Sequence, residues 1–296
     1  MGFFSSLFGK KEQPKVAETP KVEKPVAAPV VEKPKEVVAE VKKEEVKVET
    51  KVEVKTEVKV ETKESNTIKF KIDGKACEAK VGQFLVDAAN ENGIYIPTLC
   101  HMKGILPSAS CRICQVKING RFATACTTKV SSDLEDVSIE NDTPAINAIR
   151  KAIVEILFVE GNHFCPSCEK SGNCELQAMG YKYAMLVPRF PYAFPIRPVF
   201  ADSPFLMIDS NRCILCKKCV RAIKVDGKHV FALQNRGHKL VINIDKEIAK
   251  TLDLATAQKA MDGCPVGAIL RKEKGFDEAI GTRKYDLKPI GIDNLN

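Results

Sequence analysis

Cysteine placement constrains this chain of 296 residues more than any other feature. The chain has 12 cysteines, and all of them except Cys77 fall into three groups. A histidine lies two residues ahead of the second group, which otherwise has only three ligands. The sequence therefore predicts three metal sites with four ligands each. In chain order the predicted ligands are Cys100, Cys111, Cys114 and Cys126 (group one); His163, Cys165, Cys168 and Cys174 (group two); and Cys213, Cys216, Cys219 and Cys264 (group three).

Two classes of protein use this many cysteines: secreted disulfide scaffolds and proteins that bind metal through thiolates. Disulfide scaffolds are usually short and follow a signal peptide. The first residues here lack an uninterrupted apolar stretch and a cleavage site. No stretch approaches the roughly 18 apolar residues of a membrane span. We therefore expect metal-bound thiolates in a reducing cytoplasm.

The formal net charge is +8 when every cysteine is counted as neutral. Thiolates bound to clusters would remove roughly 5 units of positive charge, which leaves a mildly basic protein. The charge therefore gives no argument for a nucleic-acid partner, and we expect none.

Group one has the spacing C-x10-C-x2-C-x11-C, with its fourth cysteine beyond a predicted hairpin. Four thiolates can hold a [2Fe-2S] cluster, and the small residues around these cysteines allow backbone N–H groups to approach it. Zinc is the alternative, because C-x2-C also begins many zinc sites. Zinc sites usually pair two such units and only one is present, so a [2Fe-2S] cluster is favoured. Cys77 lies in a predicted strand and is expected to be a buried small side chain.

Group two has the pattern H-x-C-x2-C-x5-C, and group three has C-x2-C-x2-C followed by a distant Cys264-Pro265. Bacterial ferredoxins repeat C-x2-C-x2-C-x3-C-P and share ligands between two clusters. Ile223 occupies the place of the fourth cysteine of such a run, so group three predicts one [4Fe-4S] cluster closed by Cys264. Group two predicts a second [4Fe-4S] cluster, with a three-cysteine cluster completed by water or another residue as the alternative. Candidate cations for tuning the potentials, otherwise ordinary solvated charges, are Arg112, Lys170, Lys217 and Lys218.

Hydrophobic patterning predicts an α+β chain with three domains behind a tail. Alternating apolar residues, turns at Asp73-Gly74 and Asn119-Gly120 and a short helix give the order of a β-grasp ferredoxin. Thr143-Pro144 is typical of a helix start. The expected apolar stripe of that helix is Ile146, Ile149, Ile153, Ile156 and Leu157. The predicted domains are a β-grasp [2Fe-2S] ferredoxin domain at 67–142, a helical His/Cys3 [4Fe-4S] domain with a proline-rich strap at 143–204, and a ferredoxin-like [4Fe-4S] domain with a C-terminal extension at 205–296.

Residues 1–66 consist almost entirely of Lys, Glu, Val, Pro and Thr after a short apolar start, which predicts a disordered tether. On a helix, Phe4, Leu7 and Phe8 within residues 1–11 share one face. That face predicts docking on a partner or peripheral contact with the inner face of a membrane, and a frayed terminus is the alternative.

Several stretches match one known family: Ile94 to Cys100 (IYIPTLC), Cys111 to Cys114 (CRIC), Cys165 to Cys168 (CPSC), Cys174 to Gln177 (CELQ), Arg212 to Cys216 (RCILC) and Cys264 to Ile269 (CPVGAI). From Thr67 to about Ile290 the chain resembles the small diaphorase (gamma) subunit of bidirectional NAD-linked nickel–iron hydrogenases. That subunit is similar to the N-terminal part of the large iron–sulfur subunit of complex I. The resemblance implies one [2Fe-2S] and two [4Fe-4S] clusters, one with a histidine ligand. In complex I this histidine lies four residues before the first cysteine, where the present chain has Gly161, so His163 has to serve from two residues closer.

The chain lacks a recognisable nucleotide or flavin site, because no G-x-G-x-x-G follows a strand. The resemblance implies a subunit without catalytic residues that relays electrons between an FMN/NAD-binding flavoprotein and the small and large subunits of a nickel–iron hydrogenase. Related alternatives are a relay of an NAD-linked formate dehydrogenase, an electron-bifurcating complex or a complex I-like NADH dehydrogenase. Alternatives of another class are an iron–sulfur redox sensor or adaptor and a zinc-binding adaptor.

Overall fold

The computed structural model describes residues 67–292, so the predicted tether and its amphipathic start lie outside the described residues. The first part is a mixed five-stranded sheet in the order β2-β1-β5-β3-β4, in which β1 and β5 are parallel and the other neighbours antiparallel. The predicted β-grasp order is confirmed, with β5 as an additional central strand. Its elements are β1 (Thr67–Ile72), β2 (Lys75–Lys80), α1 (Leu85–Glu91), β3 (Gln115–Ile118), β4 (Arg121–Thr124) and β5 (Ser138–Glu140).

Both predicted hairpin turns form for the expected reason. Asp73 and Gly74 have φ values of 48° and 82°, and Asn119 and Gly120 have 49° and 75°. Two successive positive φ values match the right-handed twist of the flanking strands, and these residue types adopt them at low cost. Cys77 lies in β2 and is 2% exposed, as predicted.

The second part contains α2 (Pro144–Val159) and α3 (Glu175–Lys182). The Thr143 hydroxyl accepts a hydrogen bond from the Ile146 N–H, which confirms the predicted helix start. The predicted apolar stripe was wrong at Ile156, which is 44% exposed. Arg150 is buried instead, because it donates to the Gln115 carbonyl and the Asn141 side chain, each at 2.7 Å.

The third part has short strands and helices around the last cysteines. The β12-β7-β6 sheet is antiparallel, and β10 pairs with β11 and β8 with β9. No helix within 67–292 has the length and apolar character required to cross a bilayer. The elements are β6 (Val199–Phe200), β7 (Leu206–Asp209), α4 (Lys218–Ala222), β8 (Lys224–Val225), β9 (Lys228–His229), β10 (Phe231–Gln234), β11 (Val241–Ile244), α5 (Lys246–Thr251), α6 (Leu254–Gly263), β12 (Ile269–Arg271) and α7 (Lys284–Leu287).

Two hydrophobic cores hold these parts together. The smaller core lies inside the β-grasp sheet and includes Cys114 and Cys126. The larger core combines side chains from α2, α3, α6 and β7 with the loop that carries Cys100 and Cys111. Group one therefore lies where the two cores meet.

Candidate iron–sulfur centres

Group one lies beside the β-grasp sheet, and its four cysteines are buried. Cys114 directly precedes β3 and Cys126 follows β4, and the Ala125 N–H donates to the Cys114 carbonyl at 3.0 Å. The antiparallel pairing of β3 with β4 therefore holds these two cysteines side by side. The other two come from the preceding loop, where Arg112 has a left-handed φ of 59° between Cys111 and Ile113.

Hydrogen bonds link the four sulfurs of group one in a chain. The Cys111 and Cys126 thiols donate hydrogen bonds to the Cys100 sulfur and lower its pKa, and Cys126 also lowers the pKa of Cys114 by donating to it. Donation raises the pKa of Cys111 and Cys126 in turn. The structure thus brings this predicted quartet together. Four soft sulfur donors suit an iron–sulfide group.

All four predicted ligands of group two line one small cavity. Cys165 begins a short 3₁₀ turn after α2, and Cys174 is the N-cap of α3, where its sulfur accepts from the Gln177 N–H. Burial raises the pKa of Cys174 to about 12, so the thiol is neutral near pH 7 until a metal replaces its proton.

His163 presents a nitrogen that suits a metal. Burial, reinforced by the charge of Arg212, lowers the pKa of His163 to about 4, so the ring is neutral near pH 7. The ring interacts with the Leu157 carbonyl, while Nε2 is buried without a hydrogen-bond partner among residues 67–292. A neutral imidazole with one nitrogen bonded to a carbonyl and the other unpartnered is the usual state of a metal-ligating histidine.

Gly161 leaves room for the His163 ring, which lines this cavity although it lies two residues closer to Cys165 than the expected histidine position. A Cβ at position 161 would lie 2.7 Å from His163 Nε2 and 2.9 Å from the Asn211 carbonyl oxygen. The His163 ring therefore occupies the space that a side chain at 161 needs. A histidine at 161 and the observed ring position of His163 exclude one another.

The four cysteines of group three line a second small cavity, together with apolar side chains such as Ile208 and Ile242. Burial raises the pKa of Cys213 to about 11 and also raises the pKa values of Cys216 and Cys219. Four thiols facing an apolar cavity fit a thiolate-bound cluster, because iron would replace their protons and apolar walls exclude water.

Among residues 67–292, no three His, Cys, Asp or Glu side chains have the spacing of a site for a single metal ion.

Two contacts connect group three with the other groups. The Arg221 guanidinium donates to the carbonyls of Cys100 and Leu106 in the group-one loop and to the Cys216 carbonyl. On the other side, a Cβ on Gly267 would lie 2.5 Å from Cys168 Sγ. Glycine there lets the segment after Cys264 pass directly against group two. Group three consequently contacts both neighbours.

The cations predicted to tune the centres occupy different environments. Arg112 is exposed, whereas Lys217 lines the group-three cavity. Lys170 is buried with its ammonium on the Met261 carbonyl at 2.9 Å. Lys218 is buried and pairs with Glu175 at 3.1 Å. Sequence reasoning assigned no role to Arg212 or Arg221, although both lie next to cysteines and Arg212 begins the matched stretch Arg212 to Cys216.

Comparison with known families agrees with this geometry. The model of the 2Fe-2S iron-sulfur cluster binding domain matches residues 65–141. The NADH-ubiquinone oxidoreductase-G iron-sulfur binding region matches 150–189, and the ferredoxin-like domain of NADH-quinone oxidoreductase subunit 3 matches 203–270. The fold and these matches define an iron–sulfur protein with both [2Fe-2S] and [4Fe-4S] binding domains.

Comparison with individual relatives places the chain in a more specific family of iron–sulfur proteins. The chain is 46% identical to the NAD-reducing hydrogenase HoxS subunit gamma of Cupriavidus necator over 226 residues, which cover 76% of this chain and 95% of the relative. A crystal structure of NAD+-reducing [NiFe]-hydrogenase in the H2-reduced state has a chain with a TM-score of 0.69 and 35% identity, covering 77% of this chain and 98% of that one. The chain belongs to the family of gamma subunits of NAD-reducing hydrogenases.

A more distant relative is much longer than the matched region. The NADPH-Fe(3+) oxidoreductase subunit alpha of Geobacter sulfurreducens is 31% identical over 212 residues, which cover 71% of this chain but 24% of the relative. The shared region is thus a module that also occurs within larger subunits.

Proposed function

We propose that this chain is an electron-transfer subunit of an NAD-linked hydrogenase. Its partners are an FMN/NAD-binding flavoprotein and the small and large subunits of a nickel–iron hydrogenase. The 46% identity to a HoxS gamma subunit, over nearly its whole length, supports this assignment. Buried reduced thiols are suited to the cytoplasm, where we place the protein.

We assign a [2Fe-2S] cluster to group one and [4Fe-4S] clusters to groups two and three. This assigns one centre each to the proposed domains 67–142, 143–204 and 205–296. When bound, the three clusters supply carriers that accept and release one electron each. The chain's residues hold the ligands in place and exclude water. In particular, His163 presents Nε2, which has no hydrogen-bond partner among the described residues, and the apolar side chains around Cys213 and Cys264 limit the access of solvent to group three.

The observation that carries the proposal is the contact of group three with both other groups. Arg221 holds the Cys100 and Cys216 backbones together, and Gly267 brings the Cys264 segment onto Cys168. A relay needs carriers held close together in one rigid body, whereas a zinc adaptor has no need for such proximity. The larger core contains ligands from all three groups, including Cys100, Cys174 and Cys216.

The test is metal analysis of the full chain separated from its partners without oxygen, together with EPR of the complex. We expect about ten irons per chain and matching acid-labile sulfide. The Cys174→Ala variant should lose about four irons, whereas Cys77→Ala, which changes the cysteine outside the groups, should keep them all. NADH should reduce the EPR-detected centres only when the flavoprotein subunit is present. Zinc without sulfide, or equal iron loss in both variants, contradicts the proposal.

A further inference from the structure

Arg212 joins two of the candidate centres. It ends a 3₁₀ turn (Ser210–Arg212) and directly precedes Cys213 of group three. Its guanidinium, however, extends to group two, where Nη1 lies 3.6 Å from Cys168 Sγ. The side chain also lines the group-two cavity. The backbone of Arg212 thus lies next to group three, whereas its charged guanidinium lies at group two.

Two carboxylates fix the orientation of this guanidinium. Nε lies 3.1 Å from Asp209 Oδ2, and Nη1 lies 3.2 Å from Glu169 Oε2. The Arg212 side chain is 19% exposed, and those of Asp209 and Glu169 are 15% and 30% exposed. Arginine keeps its charge under all ordinary conditions and presents its N–H groups in a rigid plane. One N–H therefore remains directed at the Cys168 sulfur.

We infer that Arg212 is a positioning residue that raises the reduction potential of the group-two cluster, an inference that rests on the proposed function. Reduction brings in one electron from an external donor, breaks no bond, and makes the cluster and its ligands one unit more negative. An N–H···S bond from a cation stabilises the more negative state. Glu169 opposes this effect, because its carboxylate adds negative charge nearby and shares the same Nη1.

Arg212 differs from two other cations near group two, Lys170 and Arg283. Lys170 is buried close to the cavity, but its ammonium bonds to the Met261 carbonyl. Arg283 packs beside the group-two loop at Gly172, but its guanidinium pairs with Asp286. Arg283 is therefore a matched control, because its replacement removes an equal charge near the same loop and its guanidinium pairs with the Asp286 carboxylate instead of a cysteine sulfur.

The test is a redox titration of the holo-complex, with the midpoint of each cluster followed by EPR in the presence of mediators. Arg212→Gln should shift the group-two equilibrium at least tenfold toward the oxidised state, which is a decrease of 59 mV for one electron. Glu169→Gln should shift it in the opposite direction. Arg283→Gln should stay within threefold of the wild type, as should groups one and three in all variants.

Opposite signs for the Arg212 and Glu169 variants separate electrostatic tuning from a structural disturbance, which would move both in the same direction. Shifts of the same sign, or shifts under threefold in both variants, overturn the inference. If Arg212→Gln fails to load iron, the inference is tested by Glu169→Gln alone. In that case, a group-two midpoint potential that does not rise in Glu169→Gln refutes the inference. Failure of the proposed function is distinguishable, because the wild-type complex itself would then lack about four irons and the group-two EPR signal.

Discussion

Replacing Gly161 by alanine tests the position of His163 with a single methyl group. Gly161 does not have a left-handed backbone conformation, so alanine adds no backbone strain. The new Cβ would lie 2.7 Å from His163 Nε2. Ordinary carbon contacts begin near 3.5 Å, so one of the two groups has to move by about 0.8 Å.

The backbone around position 161 leaves little freedom for this movement. The same Cβ would lie 2.9 Å from the Asn211 carbonyl oxygen, and that oxygen accepts the Asn162 N–H at 2.8 Å. The imidazole therefore has to retreat. Metal–ligand distances tolerate only about 0.2 Å, and disturbing the support of a ligand typically costs 10–100-fold in metal affinity. We expect a comparable loss for group two, about 1.4 to 2.7 kcal/mol.

The assay is iron release from the full chain, separated from its partners without oxygen, as a ferrous chelator is titrated, followed by pulsed EPR of the remaining centres. In Gly161→Ala, about four of about ten irons should leave at 10–100-fold lower chelator concentration. The hyperfine coupling from an imidazole nitrogen should weaken or vanish. Gly180→Ala is the control, because its Cβ meets the nearest atoms at an ordinary 3.5 Å. Unchanged release and nitrogen coupling in Gly161→Ala would refute the placement of His163 as a ligand.

Three further substitutions or conditions address other features. Arg221→Met removes a cation that donates hydrogen bonds to the Cys100 and Cys216 carbonyls. We expect the free energy of unfolding to fall by about 2 kcal/mol and a chelator to bleach groups one and three faster. Unchanged bleaching would show that Arg221 does not hold these two groups together. Arg150→Met leaves the Gln115 carbonyl and the Asn141 side chain without their donor. The free energy of unfolding measured with urea should therefore fall by about 2–6 kcal/mol. A decrease below about 1 kcal/mol would argue against these contacts. Hydrogen bonding to Arg283 lowers the pKa of Asp286 to about 2. Because this pKa is depressed, the contact stabilises the folded chain above about pH 4, and this stabilisation is lost as the pH falls toward 2. Gly281 donates its amide to Asp286, so its exchange protection, corrected for the intrinsic rate, should decrease over that window, and constant protection would count against the contact.

Local sequence patterns predicted the features that short-range chemistry determines. Asp73-Gly74 and Asn119-Gly120 specify their turns through backbone preference, and Thr143-Pro144 specifies the start of α2. The cysteine spacings predicted sets of side chains that the structure places around common cavities in groups two and three. The turns and the helix start depend on residues within a few positions, whereas the cysteine sets combine short spacings with a more distant fourth ligand such as Cys264.

Features that depend on distant partners were not predictable in the same way. Ile156 belonged to a plausible apolar stripe, yet Arg150 is buried because its acceptors lie in β3 and after β5. The parallel pairing of β1 with β5 joins segments separated by more than sixty residues. Arg221 contacts Cys100 across a sequence separation of 121 residues. Such pairings exist only once the chain has folded, and no local pattern specifies them.

The location of group one between two cores has a consequence for maturation. Cys100 and Cys111 belong to the larger core, while Cys114 and Cys126 belong to the smaller one. A cluster bound by all four cysteines would link the two cores directly. Iron and sulfide can therefore close this quartet only where the two cores are already packed against each other.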